Sequence, residues 1–327
     1  APAGAVPQVE SGYGAQNAFL LPEVNAMGST GVALYRGGVS GLLNPAMLTA
    51  ETSGRFDVAL ALDHRDEDRF QPVYDTFSSY VTDMVIASNR QDRFGGGFAL
   101  ARRVVAGANP VVMSLSLADR YDFGYAFAEE IRDPDSGSTP RDQILEDRTY
   151  EVTGVLRQAT LGAATEVMDG FSLGVGVHYA FGSRDAAWAR RYYDTPDSSY
   201  RRTEAWEPTG YNATLGARVR LSPRVELGAA YETPLNADGA LVRGGDGEPA
   251  VEESAEIRYP GELRVGLAVR PRNNPRTVFT GEVAYREWSA LEDSRAAAGA
   301  GLADVVDARF GVEHTFAGAT RAMFGFR

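Results

Sequence analysis

The sequence of 327 residues contains no cysteine and only three histidines. Without cysteine, the chain has no disulfide bonds, no thiolate metal ligands and no cysteine nucleophile. It also lacks any run of about 18 or more apolar residues, which argues against a transmembrane helix. Soluble proteins and transmembrane β-barrels both fit these absences, because a barrel strand turns only alternate residues toward lipid. The periodicity of the sequence must therefore separate the two classes.

Basic residues are outnumbered by acidic ones, which gives a formal net charge of −12 and a pI of about 4.9. A nucleic-acid partner is not expected, because phosphate binding needs a basic face. The acidic residues concentrate at 63–68, 129–135 and 246–253. These stretches are interpreted as solvated loops, or alternatively as sites of divalent-cation bridging to lipopolysaccharide. The first five residues lack the features of a signal peptide, which predicts a mature N-terminus after its removal.

Catalytic signatures are also missing. The sequence has no Gly-x-Ser-x-Gly elbow, and its histidines do not have metal-ligand spacing. His178 falls on the polar face of a predicted strand, His64 in an acidic stretch, and His314 on an apolar face at a strand end. We therefore predict no catalytic residue, no metal site and no cofactor, and we do not expect an enzyme.

Alternation with a period of two residues is the strongest signal in the chain. Between Phe171 and Phe181 large apolar residues alternate with small or polar ones, and the pattern recurs at 56–63, 211–221, 263–270 and 308–316. A soluble sandwich also alternates. Three features favour a membrane barrel: alternation of one parity over 111–128, apparent alternation of short and long connections, and aromatic residues near strand ends. Those aromatic residues are Tyr121, Phe123, Tyr125, Phe127, Tyr179, Phe181, Tyr285 and Trp288.

The alternating segments predict an all-β, antiparallel transmembrane β-barrel with about eleven strands visible. The predicted strands are 54–63, 93–104, 110–129, 148–167, 171–182, 207–221, 224–233, 256–270, 276–288, 304–316 and 319–327. Bacterial barrels have even strand numbers, and the chain stops within an alternating run. We therefore expect the barrel, residues 51–327, to lack C-terminal strands in this sequence. Miscounting is the alternative, since a parity slip near Gln158 indicates a bulge.

Residues 1–50 differ from the rest, because they are rich in glycine and alanine and do not alternate. Their apolar side chains, from Phe19 to Leu43, are too many for a disordered tail. The composition predicts a folded hatch that plugs the barrel lumen. The alternative is an extension into the periplasm.

Within this segment, Ala26-Met27-Gly28 and Gly31-Val32-Ala33 are followed by Asn44-Pro45-Ala46 immediately before the first strand. This arrangement resembles the FadL/PorV superfamily of outer-membrane barrels. Two later stretches, 259–266 and 284–289, are similar to strand elements of that family. The resemblance covers essentially the whole chain. It implies a bacterial outer-membrane barrel with a hatch and roughly 14 strands, an even number as in other such barrels.

The resemblance leaves two functions open. FadL-type proteins admit fatty-acid-like hydrophobic molecules through the hatch and a lateral opening in the wall, and this function is placed first. PorV-type proteins are accessory barrels of type IX secretion that bind secreted or cell-surface proteins. The expected surroundings are outer-membrane lipid and lipopolysaccharide in either case. A transporter requires a break in the strand ladder beside the hatch, whereas a partner protein requires an exposed binding surface.

Three groups of candidate site residues follow. Hatch and junction residues are Met27, Gly28, Gly31, Asn44, Pro45 and Ala46. Candidate ligand contacts in the lumen are Arg218, Arg220 and Arg264, because a guanidinium binds a carboxylate with paired donors. The alternative is that opposite charges pair across neighbouring strands. A candidate external hydrophobic loop contains Phe70, Val73, Tyr74, Phe77 and Tyr80, and collects ligand, caps the barrel mouth or binds a partner.

Overall fold

The computed structural model describes residues 8–16, 22–74, 77, 79–107, 109–132, 144–295, 301–318 and 320–327. The predicted mature N-terminus and the apolar run Phe19 to Leu21 lie outside these residues. The helices are α1 (Gln8–Tyr13), α2 (Pro22–Ala26), α3 (Ser40–Leu43) and the 3-10 helices Pro45–Ala50, Pro196–Ser198 and Trp288–Ala290. The described part of the chain contains no helix long and apolar enough to cross a membrane.

The described residues include eighteen β-strands, which pair into one antiparallel sheet; β2 to β18 make the wall of a β-barrel. They are β1 (Ala15–Gln16), β2 (Gly54–Tyr74), β3 (Tyr80–Val105), β4 (Val111–Asp122), β5 (Tyr125–Arg132), β6 (Ile144–Thr153), β7 (Val155–Met168), β8 (Phe171–Gly182), β9 (Arg184–Tyr192), β10 (Tyr200–Ser222), β11 (Val225–Glu232), β12 (Leu235–Gly245), β13 (Glu248–Tyr259), β14 (Glu262–Val269), β15 (Thr277–Arg286), β16 (Glu292–Asp293), β17 (Val305–Thr315) and β18 (Arg321–Phe326).

Most of these strands are halves of longer ones. Breaks of one or two residues separate β4 from β5, β6 from β7, β8 from β9, β11 from β12 and β13 from β14, and a 3-10 helix separates β15 from β16. Joined across these breaks, the strands after β1 make eleven long wall strands within the residues that the structure describes. The predicted count and fold class are therefore confirmed.

The alternation places apolar side chains on the outside of the wall. Leu173, Val175 and Val177 on β8 are exposed, whereas Ser172, Gly176 and His178 face inward. The outward apolar face of β8 and of the second half of β10 spans about 9–11 residues, the length that a tilted strand needs to cross a bilayer. The outer surface is thus apolar where lipid would meet it.

Several connections that looked like long polar loops are strands. β2 and β3 pair from Gly54 opposite Arg102 to Tyr74 opposite Tyr80, with two register shifts, so the stretch between the predicted strands 54–63 and 93–104 is a hairpin. The stretches 182–206 and 236–256 are also largely strand. The prediction was wrong here because a strand outside the bilayer has water on both faces, so its sequence loses the apolar alternation.

A register shift between Asp119 and Tyr121 reverses the two faces of the third long strand. Before the shift even-numbered residues face inward, and after it Tyr121, Phe123, Tyr125 and Phe127 do. All four aromatic side chains are buried in the interior. The prediction took aromatic residues near strand ends as a sign of the membrane surface, and for these four it was wrong, whereas Tyr179 and Phe181 do lie on the outer face.

Residues 22–50, called the N-terminal segment below, pack against the inner face of the wall. Its large apolar side chains meet small residues there: Leu42 and Leu43 belong to one cluster with Ala59 and Ala99. Elsewhere Met27 and Val32 cluster with Ala230 and Ala268, and Leu48 clusters with Ala101 and Ala164. Within the described residues no ladder pairing joins β2 to β18. Instead, the segment contacts both, with Glu23 bonded to Arg321 of β18 and Gly37 against Asp57 of β2.

Candidate functional site

The strand ladder is broken between the second and third long wall strands. β3 pairs with β5 from Ala87 to Asn89 and with β4 from Gly97 onward. Between these stretches, in the described part of the chain, residues 90–96 of β3 form no ladder pairs with residues 119–126, which lie opposite them. Because unpaired backbone is costly in lipid, such a gap must be compensated by other groups.

Polar side chains take over the hydrogen bonds that the ladder lacks. Arg93, only 4% exposed, donates from Nη2 to the carbonyl oxygen of Gly124 and lies 3.6 Å from Asp122 Oδ1. The same Asp122 oxygen accepts from the backbone N–H of Gly124 at 2.7 Å. Asp119 Oδ2 accepts from Gly96 N at 3.0 Å. Specific side-chain hydrogen bonds therefore stabilise the gap in the wall.

A cavity of about 340 Å³ lies in this gap. It is lined on one side by β3, from Arg90 to Phe94, and on the other by residues of β4 to β7, including Tyr125, Ala126 and Val152. Phe94 is 71% exposed on the outer face, whereas Tyr125 and Val152 are buried inside. The cavity thus lies between the apolar outer surface and the interior of the barrel.

Above the gap the outer face becomes charged. Arg90 hydrogen-bonds to Asp68 at 3.1 Å and to Asp66 at 3.0 Å, and these bonds raise the pKa of Arg90. His64 Nδ1 lies 2.7 Å from Asp92 on the same surface. The gap therefore opens at the upper border of the apolar band.

An apolar cluster, called the inner aromatic cluster, lies in the barrel interior next to the gap. It contains Phe123, Tyr125, Trp206 and Tyr259, and the rings of Tyr121 and Tyr259 stack 4.4 Å apart. Aliphatic residues, including Leu156, Leu241 and Ile257, complete it. Such a surface suits a hydrophobic guest, because aromatic rings bury a large area.

Residues 11–16 occupy the interior next to this cluster. β1 pairs with β4, Ala15 opposite Asp122 and Gln16 opposite Tyr121, along the stretch where β3 leaves β4 unpaired. Arg184 Nε donates to the carbonyl of Ser11 at 2.9 Å, and Arg295 Nη2 donates to that of Gly12 at 3.1 Å. The chain itself thus fills the space beside the gap.

Between the inner aromatic cluster and the N-terminal segment lies a layer of buried charge, called the buried ion cluster. Its members are Arg120, Glu232, Glu262, Arg264, Glu282, Arg286 and Arg309. Arg120 Nη2 donates to both oxygens of Glu232 at 2.7 Å, and Arg286 Nη2 lies 2.7 Å from Glu262. His178 sits nearby, 2.9 Å from the hydroxyls of Thr160 and Thr214.

Asn44 joins the N-terminal segment to the wall. Its Nδ2 donates to Val32 O at 2.7 Å and to Ala217 O of β10 at 3.1 Å, and its Oδ1 accepts from Ala46 N. Pro45 begins the 3-10 helix that follows. Ala46 and Met27 are fully buried, and Gly28 has a φ of 66°. The structure thus brings the predicted junction residues together on the inner face.

Replacing Asn44 with alanine is expected to destabilise the protein by about 1–3 kcal/mol, because buried polar groups lose their partners. Asn44→Asp keeps the acceptor for Ala46 but directs a carboxylate at two carbonyl oxygens. We expect it to cost at least as much as the alanine. Urea unfolding in detergent measures both changes, and a milder effect of the aspartate would contradict the hydrogen-bond assignment.

Glycines of the wall provide the room that the segment occupies. A Cβ on Gly174 would lie 2.5 Å from the backbone nitrogen of Ala46. A valine at Gly174 is therefore expected to cost about 1–3 kcal/mol by overpacking. Gly281, where a Cβ meets nothing within 4 Å, is the matched control. Gly174→Val should unfold at a lower temperature than Gly281→Val. Equal unfolding midpoints would show that the segment is not tightly packed against Gly174.

The three candidate ligand-binding arginines are all ion-paired in the structure. Arg218 bonds to Glu226 at 2.9 Å, Arg220 to Glu166 at 3.2 Å, and Arg264 lies 3.5 Å from Glu232. Arg218 and Arg264 are buried, whereas Arg220 is partly exposed at a strand end. Their geometry follows the cross-strand pairing considered as the alternative, and a role in ligand binding stays a prediction.

The candidate external loop is not a loop. Phe70, Val73 and Tyr74 lie in β2, and Tyr80 begins β3, so only Phe77 of the five lies between the strands. Phe70 and Tyr80 are exposed, and Phe77 is 87% exposed. The structure corrects the placement of these residues to the outer end of a hairpin, because cross-strand pairing continues to Tyr74 opposite Tyr80.

Sequence reasoning missed Arg93 and the gap that it bridges. The available signal was the group of small residues at 95–97 followed by Gly124 on the next strand, which allow two backbones to separate and bend. No group of three or more His, Cys, Asp or Glu side chains in the described residues has the geometry to hold a metal ion.

Solved structures share this architecture. A Pseudomonas aeruginosa FadL homologue aligns with a TM-score of 0.68 at 14% identity, over 95% of this chain and 80% of that chain. The Ralstonia pickettii toluene transporter TbuX gives 0.62 at 17% identity, over 94% and 85%. The Pseudomonas putida toluene transporter TodX gives 0.59 at 14% identity, over 96% and 83%.

No family model and no curated protein sequence matches the chain. The comparisons give no support to the PorV-like alternative. These structural neighbours are a FadL homologue and two toluene transporters, and this chain has their fold, an antiparallel transmembrane β-barrel.

Proposed function

We propose that the protein is a bacterial outer-membrane channel for the passive entry of hydrophobic small molecules. The observation that carries the proposal is the break in the strand ladder, which holds a cavity between the outer surface and the inner aromatic cluster. A lateral gap at the upper border of the apolar band allows a hydrophobic molecule to leave the barrel without crossing its polar interior.

In this proposal the molecule enters from the external end, binds at the inner aromatic cluster and leaves through the gap. Residues 1–50 act as a hatch, of which residues 22–50 are seen packed against the inner wall. The buried ion cluster lies between that segment and the aromatic cluster, so a hydrophobic molecule that continued inward would meet buried charge. The lateral exit avoids this barrier.

The substrate class follows from the lining of the pathway. Aromatic and aliphatic side chains favour monoaromatic hydrocarbons or the tails of fatty-acid-like molecules, and one of the neighbours is described as a monoaromatic hydrocarbon channel. Outer-membrane lipid and lipopolysaccharide are the proposed surroundings. A protein partner and a catalytic role are not part of the proposal.

Uptake into cells that lack their own channel of this type tests the proposal. Cells that produce the protein should accumulate radiolabelled toluene or oleate faster than cells with an empty vector, and uptake of a hydrophilic sugar should be equal in both. Equal rates for the hydrophobic solutes, with the barrel verified in the outer membrane, would refute the proposed function.

A further inference from the structure

We propose that Glu282, paired with Arg309, is the positioning residue that holds the N-terminal segment against the inner face of the wall. The inference rests on the proposed hatch role of that segment. Glu282 lies on the inner face of β15 and is 4% exposed. Its Oε2 accepts from the backbone N–H groups of Gly31 and Val32 at 2.9 and 3.0 Å. A wall carboxylate thus binds the main chain of the segment directly.

The shape of the segment presents these donors. Gly28 and Ser29 both have left-handed φ angles, 66° and 64°, and Ser29 is the non-glycine residue with this conformation in the described chain. Such a conformation is uncommon for a residue with a side chain and persists only where the surroundings hold it. Successive backbone N–H groups next to a left-handed turn form a concave site for an anion. Glu282 supplies the anion.

Arg309 on the neighbouring strand β17 binds the same turn, and Glu282 and Arg309 together are called the clamp below. Its Nη1 lies 3.1 Å from Glu282 Oε1 and 3.5 Å from the carbonyl oxygen of Ser29. The two opposite charges therefore hold a carbonyl and two N–H groups of one turn. Charge-assisted hydrogen bonds of this kind are about twice as strong as neutral ones.

The surroundings of the turn leave little freedom. The hydroxyl of Thr280, two residues before Glu282 on the same face, donates to Thr30 Oγ1 at 2.7 Å. Thr30 in turn donates to Met27 O at 2.9 Å. A Cβ on Gly311 of β17 would lie 2.7 Å from that same oxygen. β15 and β17 thus form a fitted receptor for residues 27–32.

The clamp is also the end of the buried ion cluster. Arg309 Nη2 lies 3.5 Å from Glu262, which is paired with Arg286. Glu262 also lies 4.0 Å from Arg264, whose other partner is Glu232. The charges below the inner aromatic cluster therefore connect, pair by pair, to the residue that holds the segment.

Hydrogen–deuterium exchange of the purified protein in detergent tests the clamp through Glu282→Gln, with Asp307→Asn as the matched control. Both variants remove one carboxylate bonded to Arg309, since Asp307 lies 3.1 Å from its Nη2, but only Glu282 contacts the segment. We expect peptides covering 27–34 to exchange at least tenfold faster in Glu282→Gln and unchanged in Asp307→Asn. Peptides from β15 and β17 should keep their protection in both.

Unchanged exchange at 27–34 in Glu282→Gln would overturn the proposal, and so would faster exchange throughout the barrel, which would mark a general structural role. Should Glu282→Gln not assemble, Glu282→Asp keeps the charge but shortens its reach. It should then exchange faster than the wild type at 27–34, and wild-type exchange would overturn the clamp. Hydrogen exchange does not depend on transport, so the two proposals are tested independently. If the wild type took up no toluene, only the proposed function would be refuted.

Discussion

Replacing Ala126 with tryptophan is expected to slow uptake of hydrophobic solutes at least about tenfold, equivalent to raising the barrier by about 1.4 kcal/mol. Ala126 lies on β5 and lines the cavity in the ladder gap, where β3 offers no ladder partner. An indole group has the volume to fill much of a 340 Å³ cavity whose other walls are fixed by Arg93 and Asp122. The lateral exit would then be blocked without a change in the hydrogen bonds of the backbone.

Ala128→Trp is the control for this experiment. Ala128 lies two residues farther along β5, so its side chain is on the same face of the strand as that of Ala126. It pairs with Ser88 in the intact ladder, however, and does not line the gap cavity. Uptake of radiolabelled toluene or oleate should remain near the wild-type rate in Ala128→Trp. If both variants transported at the wild-type rate, the gap would not be the exit. If both lost transport while folding normally, the gap would have no special role.

Replacing Glu232 with glutamine is expected to destabilise the barrel by about 3–5 kcal/mol, because breaking a buried ion pair leaves an uncompensated charge. Glu232 accepts from Arg120 at 2.7 Å through both oxygens and from Asn212 at 3.0 Å, and Arg264 lies 3.5 Å away. The neutral amide balances neither arginine. Chemical unfolding in detergent, followed by tryptophan fluorescence, measures the change.

Glu166→Gln provides the comparison, since Glu166 pairs with the partly exposed Arg220 at 3.2 Å. Exposed pairs contribute about 0–1 kcal/mol, so this variant should unfold close to the wild type. The double replacement Arg120→Leu with Glu232→Leu should recover part of the loss, because it removes both members of the closest pair. A small effect of Glu232→Gln alone would mean that water reaches the cluster.

Much of the wall was predictable because lipid imposes a simple rule on it. Where one face meets lipid, as between Phe171 and Phe181, apolar alternation shows both the strand and its orientation. Where water reaches both faces, as in the outer half of β2, charged residues such as Asp66 and Asp68 occur within a strand and resemble a loop. The rule also failed after Asp119, because aromatic residues suit a lipid-facing surface and a packed interior equally well.

The candidate site was less predictable because it depends on register. Charged inward residues such as Arg264 and Arg309 were visible in the alternation. Their partners were not, since Glu262 and Glu282 become neighbours of Arg309 only through the pairing of β14, β15 and β17. The gap bridged by Arg93 is likewise a relation between two strands. No single stretch of sequence carries it.

The 21 residues of β2 reach about 70 Å along the strand, or about 50 Å vertically at the usual barrel tilt. The hydrocarbon core of a bilayer is only about 30 Å thick. The wall therefore rises about 20 Å above the hydrocarbon, into the hydrated carbohydrate that coats an outer membrane. That coat, in which oils are poorly soluble, is the barrier for a hydrophobic molecule. In the proposed function, a barrel of this height carries such molecules through part of that coat and releases them beneath it.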